Sequence, residues 1–138
     1  MIKYRILPEQ KLIAICNWGK TSVEEILTFS QDLRNDPEFS QSYDTILDNT
    51  QTKIAFTSDE MTMLSNPRID SNKRVGRVAI IALADITYGL SRMHELYTKT
   101  KSPHKISVFR NTSSALKWLN KEGLDIENIF KEIKMDTT

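Results

Sequence analysis

The stretch RVAIIAL, residues 77–83, is the most hydrophobic run in the chain. After its first residue it contains only valine, isoleucine, leucine and alanine, with no polar residue in alternation. A β-strand that is buried on both faces has this composition, and parallel strands covered by helices are strands of that kind. The run from Val78 to Leu83 therefore predicts a strand in the middle of an α/β sheet, with helices packed above and below it.

Strand patterns and helix patterns alternate along the rest of the chain. Two short strand-like segments at 2–7 and 12–18 are joined by the polar turn PEQK, which predicts a β-hairpin. The other predicted strands are YDTILD at 43–48 and HKISVFR at 104–110, and helices are predicted at 19–39, 57–67, 85–98, 112–120 and from 125 onward. Strands that alternate with helices imply parallel, right-handed crossovers. We therefore predict a single α/β domain whose mixed, mostly parallel five-stranded sheet opens with an N-terminal β-hairpin.

Composition narrows the class of protein. The chain has 138 residues, of which 39% are hydrophobic and 27% charged, as in an ordinary globular domain. Its net charge of +1 gives no strong field for nucleic acid, so no nucleic-acid partner is expected. The first ten residues lack the apolar run of a signal peptide, and no stretch approaches the length of a membrane span. A cytoplasmic location is expected.

The supply of catalytic side chains is small. Cys16 is the single cysteine, which excludes an internal disulfide and all Cys-rich zinc patterns. His94 has no acidic residue at helix-face spacing to orient it as a base, and His104 lies in a basic turn. No glycine-rich phosphate loop is present. These residues predict that the protein is not an enzyme and holds neither a metal nor a cofactor.

Polar residues follow the predicted parallel strands at their carboxyl ends. Asp48 and Asn49 follow one strand, Asp85 the next and Arg110 the last. Ligands of open α/β sheets bind at this edge. The two aspartates are expected either to pair with Arg110 or to cap helices, and the set lacks a nucleophile with its base.

The order of elements, with several of their residues, resembles the SpoIIAA-like proteins of the STAS (STAS/SEC14-type) superfamily. The resemblance runs from Ile2 to Leu119 and rests on MIKYRILPEQKLIAI at 1–15, TSVEEI at 21–26, DTILD at 44–48, RVAIIALADITYGLSRMHELY at 77–97 and VFRNTSSALKWL at 108–119. It implies a SpoIIAA-like STAS domain at 1–122, followed at 123–138 by a C-terminal amphipathic helix and tail. Such domains are usually non-enzymatic and bind protein partners, and some relatives are thought to bind nucleotides or lipids.

The resemblance also draws attention to Ser58. In STAS antagonist proteins a strand ending in aspartate leads to an Asp-Ser-Ser-Gly-type motif at a helix start, where a partner kinase phosphorylates the second serine. Here FTSDE, residues 56–60, occupies that place, with Thr57 and Asp59 replacing the acidic residue and the glycine. Ser58 is either a helix cap or a phosphorylation switch. The acidic residues that follow would repel a phosphate, which favours the cap.

The last predicted helix has an apolar stripe that needs a cover. The stripe consists of Ile126, Ile129, Phe130 and Ile133, and either its own domain or a second copy in a homodimer would bury it. We favour folding back. The leading function is a non-catalytic regulatory or protein-interaction module that binds a protein partner. The alternative is a carrier or sensor of a lipid or other apolar small molecule, held between the sheet and the helix at 85–98.

Overall fold

The computed structural model describes residues 1–53, 59, 76–83 and 106–136. Its strands are β1 (Ile2–Leu7), β2 (Leu12–Lys20), β3 (Asp44–Lys53), β4 (Val78–Ile81) and β5 (Ile106–Phe109). Its helices are α1 (Val23–Asn35), α2 (Thr112–Trp118) and α3 (Ile126–Met135). The helices predicted at 57–67 and 85–98 lie outside the described residues, apart from Asp59, which has a helical backbone and an exposed side chain.

The five strands form one sheet in the order β1-β2-β3-β4-β5. The pair β1 and β2 is antiparallel, and each of the following pairs is parallel. A tight turn at residues 8–11 joins β1 to β2 and places Lys11 at a positive φ of 52°. The predicted fold class, a mixed and mostly parallel sheet that opens with a hairpin, is confirmed.

Strand β4 has the interior position that its composition predicts. It pairs with β3 on one side and with β5 on the other, so both of its edges are hydrogen-bonded. Ala79, Ile80 and Ile81 are each at most 3% exposed. Leu83 differs from the prediction, because pairing stops at Ile81 and the chain leaves the sheet with the Leu83 side chain 55% exposed. The apolar run therefore continues beyond the strand.

Strand β3 is longer than predicted. Its ladder with β4 ends at Asp48, where the sequence analysis placed the end of the strand. The ladder with β2 continues, after an irregularity near Trp18, as far as the pair formed by Lys20 and Lys53. Residues 49–53 therefore overhang β4 at its carboxyl end, and we call this segment the β3 overhang.

The two faces of the sheet are covered by different helices. On the first, the α3 face, α2 and α3 pack against side chains of β2, β3 and β4 that include Leu12, Cys16 and Ile46. On the second, the α1 face, Leu33 of α1 packs near Ile13, Ile15 and the apolar side chains of β1. Helix α3 therefore folds back on its own domain, where its apolar stripe joins the core.

Polar contacts hold α3 against the first two strands. The Arg5 guanidinium lies 2.7 Å from the Glu132 carboxylate, and the Lys3 ammonium donates to the carbonyl oxygen of Asp136. The Cys16 thiol donates to the carbonyl oxygen of Phe130 at 3.6 Å. The helix begins after Asp125, whose carboxylate accepts from the Asn128 amide. These contacts fix the position of α3 across β1 and β2.

Candidate binding cleft at the carboxyl end of the sheet

A cleft of about 420 Å³ opens where β4 and β5 end and β3 continues. The β3 overhang forms one wall through Thr50 and Gln51, and α3 forms another through Phe130 and Lys134. The ends of β4 and β5 close it through residues such as Ile81 and Arg110. The cleft thus exists because one strand outruns its neighbours and a helix lies alongside. Open α/β sheets bind their ligands at this edge.

Asp48 is the buried carboxylate of this cleft. Its side chain is 6% exposed and accepts from the backbone amide and the hydroxyl of Thr50, at 2.9 and 2.6 Å. Its other oxygen lies 3.0 Å from the Lys134 ammonium. A carboxylate that is buried in this way needs both a counterion and hydrogen-bond donors. Asp48 therefore joins the β3 overhang to α3, and its counterion is Lys134.

Arg110 reaches across the end of β4. Its guanidinium donates to the carbonyl oxygen of Leu83 at 3.2 Å, although the residue as a whole is exposed. Leu83 lines the same cleft and exposes more than half of its side chain. An exposed leucine and an exposed arginine therefore lie together at the mouth of the cleft. Each belongs to the backbone that follows a strand, β4 for Leu83 and β5 for Arg110.

The interior and the rim of the cleft differ in chemistry. Ile81 and Phe130 lie at the base of the cleft but are only 1% and 5% exposed, so the accessible apolar surface is mainly that of Leu83. Glu127 and Lys131, both exposed, contribute opposite charges from successive turns of α3. The arrangement suits a ligand or a partner group that combines apolar and polar atoms.

The predicted ligand-end residues separate into three groups. Asp48 and Arg110 line the cleft. Asn49, the next residue on β3, does not line the cleft; it is 5% exposed, and its Oδ1 atom has no hydrogen-bond partner among the described residues. Asp85 lies outside the described residues, as do Thr57 and Ser58. The role of each of these residues as a site stays a prediction.

The thiol of Cys16 is unsuited to nucleophilic chemistry. Burial, followed by the negative charge of Asp48, raises the pKa of Cys16 to about 12. The thiol is therefore protonated at neutral pH, and it is fully buried beneath α3. Within the described ranges, no group of three or more His, Cys, Asp or Glu side chains is placed to hold a metal ion.

Lys134 and Gln51 are among the cleft residues that the sequence analysis does not predict. Lys134 belongs to the segment predicted as a C-terminal amphipathic helix and tail, and Gln51 to a stretch predicted to lie beyond the strand. One signal was available for Lys134, because it directly follows Ile133 of the apolar stripe. A helix that folds back on the sheet carries such a neighbour to the border of its buried face.

The strand order and the position of the cleft define an α/β protein with a SpoIIAA-like fold. A structure search places the chain beside an uncharacterised protein of the DUF3478 family from Shewanella loihica PV-4, whose crystal structure is described as SpoIIAA-like. The two agree with a TM-score of 0.58 at 19% sequence identity, over 86% of this chain and 93% of that chain. At this identity the likeness shows the fold. No family model matches the chain, and no curated protein matches it significantly. None of the described helices has the length and hydrophobicity needed to cross a membrane.

Proposed function

We propose that this chain is a non-catalytic protein-interaction module with a regulatory role, and that its partner binds at the carboxyl end of the sheet around Leu83 and Arg110. The observation that carries the proposal is the exposed pair itself. Leu83 keeps 55% of its surface in solvent directly after a buried strand, and Arg110 donates to its carbonyl oxygen. Arginine is enriched at interfaces, and an adjoining apolar side chain gains free energy when a partner covers it.

The non-catalytic part of the proposal is supported by the state of the ionisable groups near the cleft. Asp48 already accepts three hydrogen bonds, and Cys16 is buried and protonated. A general base needs a free acceptor within reach of the substrate's proton, whereas three donors already occupy Asp48 and the Cys16 thiol is buried. A turnover that depends on Asp48 or Arg110 would overturn this part of the proposal.

The partner surface can be tested with one substitution and a matched control. The tagged protein is used to recover partners from the source cells, and each recovered protein is purified and measured again. Leu83→Asp is expected to weaken binding at least about tenfold, because it places a charge in the contact. Met135→Asp, which changes a side chain that is 72% exposed and outside the cleft, is expected to bind as the wild type does. Equal binding by both variants would contradict the proposal.

The proposal also assigns Ser58 a role, as a phosphorylation switch that controls binding of the same partner. The segment Thr57 to Asp59 follows β3 closely in sequence, so its phosphorylation would add negative charge a few residues beyond the β3 overhang. We expect Ser58→Asp to lose the partner and Ser58→Ala to keep it. If the two variants bind equally well, Ser58 acts only as a helix cap.

A second candidate function is the carrier or sensor of a small molecule. It is favoured by the volume of the cleft, about 420 Å³, and by the exposed apolar side chain of Leu83 in its lining. Small-molecule sites commonly have such a volume and such a lining. Native mass spectrometry of the purified protein tests this candidate, and a co-purifying ligand supports it.

A further inference from the structure

Among the described residues, the β3 overhang has a ladder partner on one side only. It pairs with β2 as far as Lys53, whereas pairing with β4 stops at Asp48. Thr50 and Gln51 line the cleft of about 420 Å³, which places open space beside the overhang. The overhang is therefore an edge strand, and an edge strand presents backbone donors and acceptors to any strand that reaches it.

The Thr50 amide shows which residues face this open edge. It donates to the Asp48 carboxylate at 2.9 Å and is therefore directed away from β2. Alternate residues of a strand direct their backbone groups to the same side, so the Thr52 amide is directed the same way. Within residues 1–53, 76–83 and 106–136, no strand lies beside it to accept. The Thr52 amide and the carbonyl oxygens of Thr50 and Thr52 can thus pair with a strand added by another molecule, which is β-augmentation.

The lysines around the overhang give its end a positive charge. The last pair of the ladder is Lys20 with Lys53, so two lysines occupy opposite positions on neighbouring strands, where like charges repel. Lys20 and Lys131 are exposed, and neither forms an ion pair within the part of the chain that the structure describes. Glu127, one turn of α3 before Lys131, is the exposed acidic residue of the cleft lining. Three lysines outweigh this one carboxylate, and an acidic segment would complement them.

We propose that the partner contributes an extended acidic segment, which adds as a strand to the open edge of the β3 overhang and neutralises the lysines around it. The inference rests on the proposed function and gives the partner its chemistry. Leu83, which lines the same cleft, offers an apolar contact to a side chain of the added segment. Lys134 takes no part, because it remains the counterion of Asp48.

A displayed library of random dodecapeptides supplies the probe. The library is selected on the full chain, and the enriched peptides are synthesised and measured by calorimetry. We expect them to be acidic and rich in β-branched residues, and to bind more weakly as salt is added. Failure to enrich any peptide, or enrichment of basic peptides, would overturn the proposal.

Thr52→Pro tests the hydrogen bonds of the open edge. Proline removes the amide, and a strand tolerates it where that amide faces away from the neighbouring strand. An enriched peptide is expected to bind this variant, once its cooperative unfolding is verified, at least about tenfold more weakly than the wild type. Thr52→Val keeps the amide and is expected to bind as the wild type does. Equal binding by folded Thr52→Pro would contradict strand addition.

Methylation of the peptide backbone gives a second test that leaves the protein unchanged. A strand directs alternate amides to one side, so methyl groups on one alternate set block the new ladder and those on the other set do not. We expect one set to abolish binding and the other to preserve it. Equal effects of the two sets would overturn the proposal.

Charge reversal tests the lysines. The variant with both Lys20→Glu and Lys53→Glu is expected to bind the enriched peptide at least about tenfold more weakly than the wild type. Lys117→Glu, which changes an exposed lysine of α2 outside the cleft, is expected to bind as the wild type does. Undiminished binding by the double variant would remove the acidic character from the proposed segment.

The partner recovered from the source cells separates the two proposals. If Leu83→Asp loses that partner and folded Thr52→Pro keeps it, the Leu83 surface stands and strand addition is overturned. If Thr52→Pro loses the partner and Leu83→Asp keeps it, strand addition stands and the Leu83 surface is overturned.

Discussion

At the scale of single residues, the ion pair between Asp48 and Lys134 is the most informative contact. It crosses 86 positions of sequence and joins the β3 overhang to α3. Its carboxylate is 6% exposed and its ammonium 21% exposed, so removal of one partner leaves a charge with little water to solvate it. Removal of one partner is therefore expected to lower the free energy of unfolding more than replacement of both.

This difference can be measured by urea unfolding. Lys134→Met is expected to lower the free energy of unfolding by about 2–3 kcal/mol, below the full cost of a buried pair because Lys134 keeps some contact with water. The variant with both Asp48→Asn and Lys134→Met is expected to recover at least half of that loss. A single variant as stable as the double one would show that burying Asp48 without its counterion carries no penalty.

At the scale of elements, α3 is the helix on which the cleft depends. Ile126, Phe130 and Ile133 are each at most 5% exposed and belong to the same hydrophobic cluster as the sheet. The boundary predicted at residue 122 stays a prediction, and a chain that ends there tests it. Because that chain would uncover buried side chains of β2 and β3, we expect it to unfold more readily than the full chain.

A milder change tests the docking of α3 directly. Phe130→Ala is expected to lower the free energy of unfolding by about 3–4 kcal/mol, since it removes a buried aromatic ring. It should also speed the modification of Cys16 by a thiol reagent, because the Cys16 thiol lies beneath α3 and donates to the Phe130 carbonyl oxygen. Met135→Ala changes an exposed residue of the same helix and serves as the control, with the wild-type rate expected. Slow, unchanged labelling in Phe130→Ala would mean that α3 does not control access to the thiol.

Element boundaries show where sequence reasoning succeeded and where it failed. Helix α1 begins inside the range predicted at 19–39, and Ser22 caps it by accepting from the Glu25 amide, because capping is decided within a few residues. The predicted end of β3 was wrong. Residues 49–53 are mostly polar and show no strand pattern of their own, although they pair with β2. Leu83 was misplaced for the same reason, since the point at which β4 leaves the sheet depends on its neighbours.

At the scale of the whole molecule, two of the groups that the structure describes link stability to alkaline pH. Burial and hydrogen bonding to Asp36 raise the pKa of Tyr4 from 10.0 to about 12, and burial raises the pKa of Cys16 from 9.0 to about 12. A raised pKa means that the folded state favours the protonated form. Stability from these groups is complete below pH 9 and is lost as the pH rises from about 9 towards 12.

The urea midpoint at pH 7, 9 and 10.5 measures this loss. We expect the midpoint to fall from pH 9 to 10.5, and to fall less in a variant that combines Tyr4→Phe with Cys16→Ala. Asp36 affects stability at acidic pH instead. The hydrogen bonds that its carboxylate accepts from Tyr4 and from the Glu38 amide lower its pKa. Its contribution to the free energy of unfolding is therefore lost as the pH falls. The same alkaline slope in the variant and the wild type would assign the effect to other groups.

The sequence by itself determined the class of fold, because each apolar strand and each amphipathic helix is recognised from residues that are neighbours in the chain. It also brought Asp48 and Arg110 to one edge of the sheet, since parallel strands end together. Only the tertiary structure decided that α3 closes that edge, that Lys134 meets Asp48, and that Leu83 faces solvent. Those outcomes depend on packing between segments far apart in the chain, and no local periodicity encodes the distance between two side chains that meet only after folding.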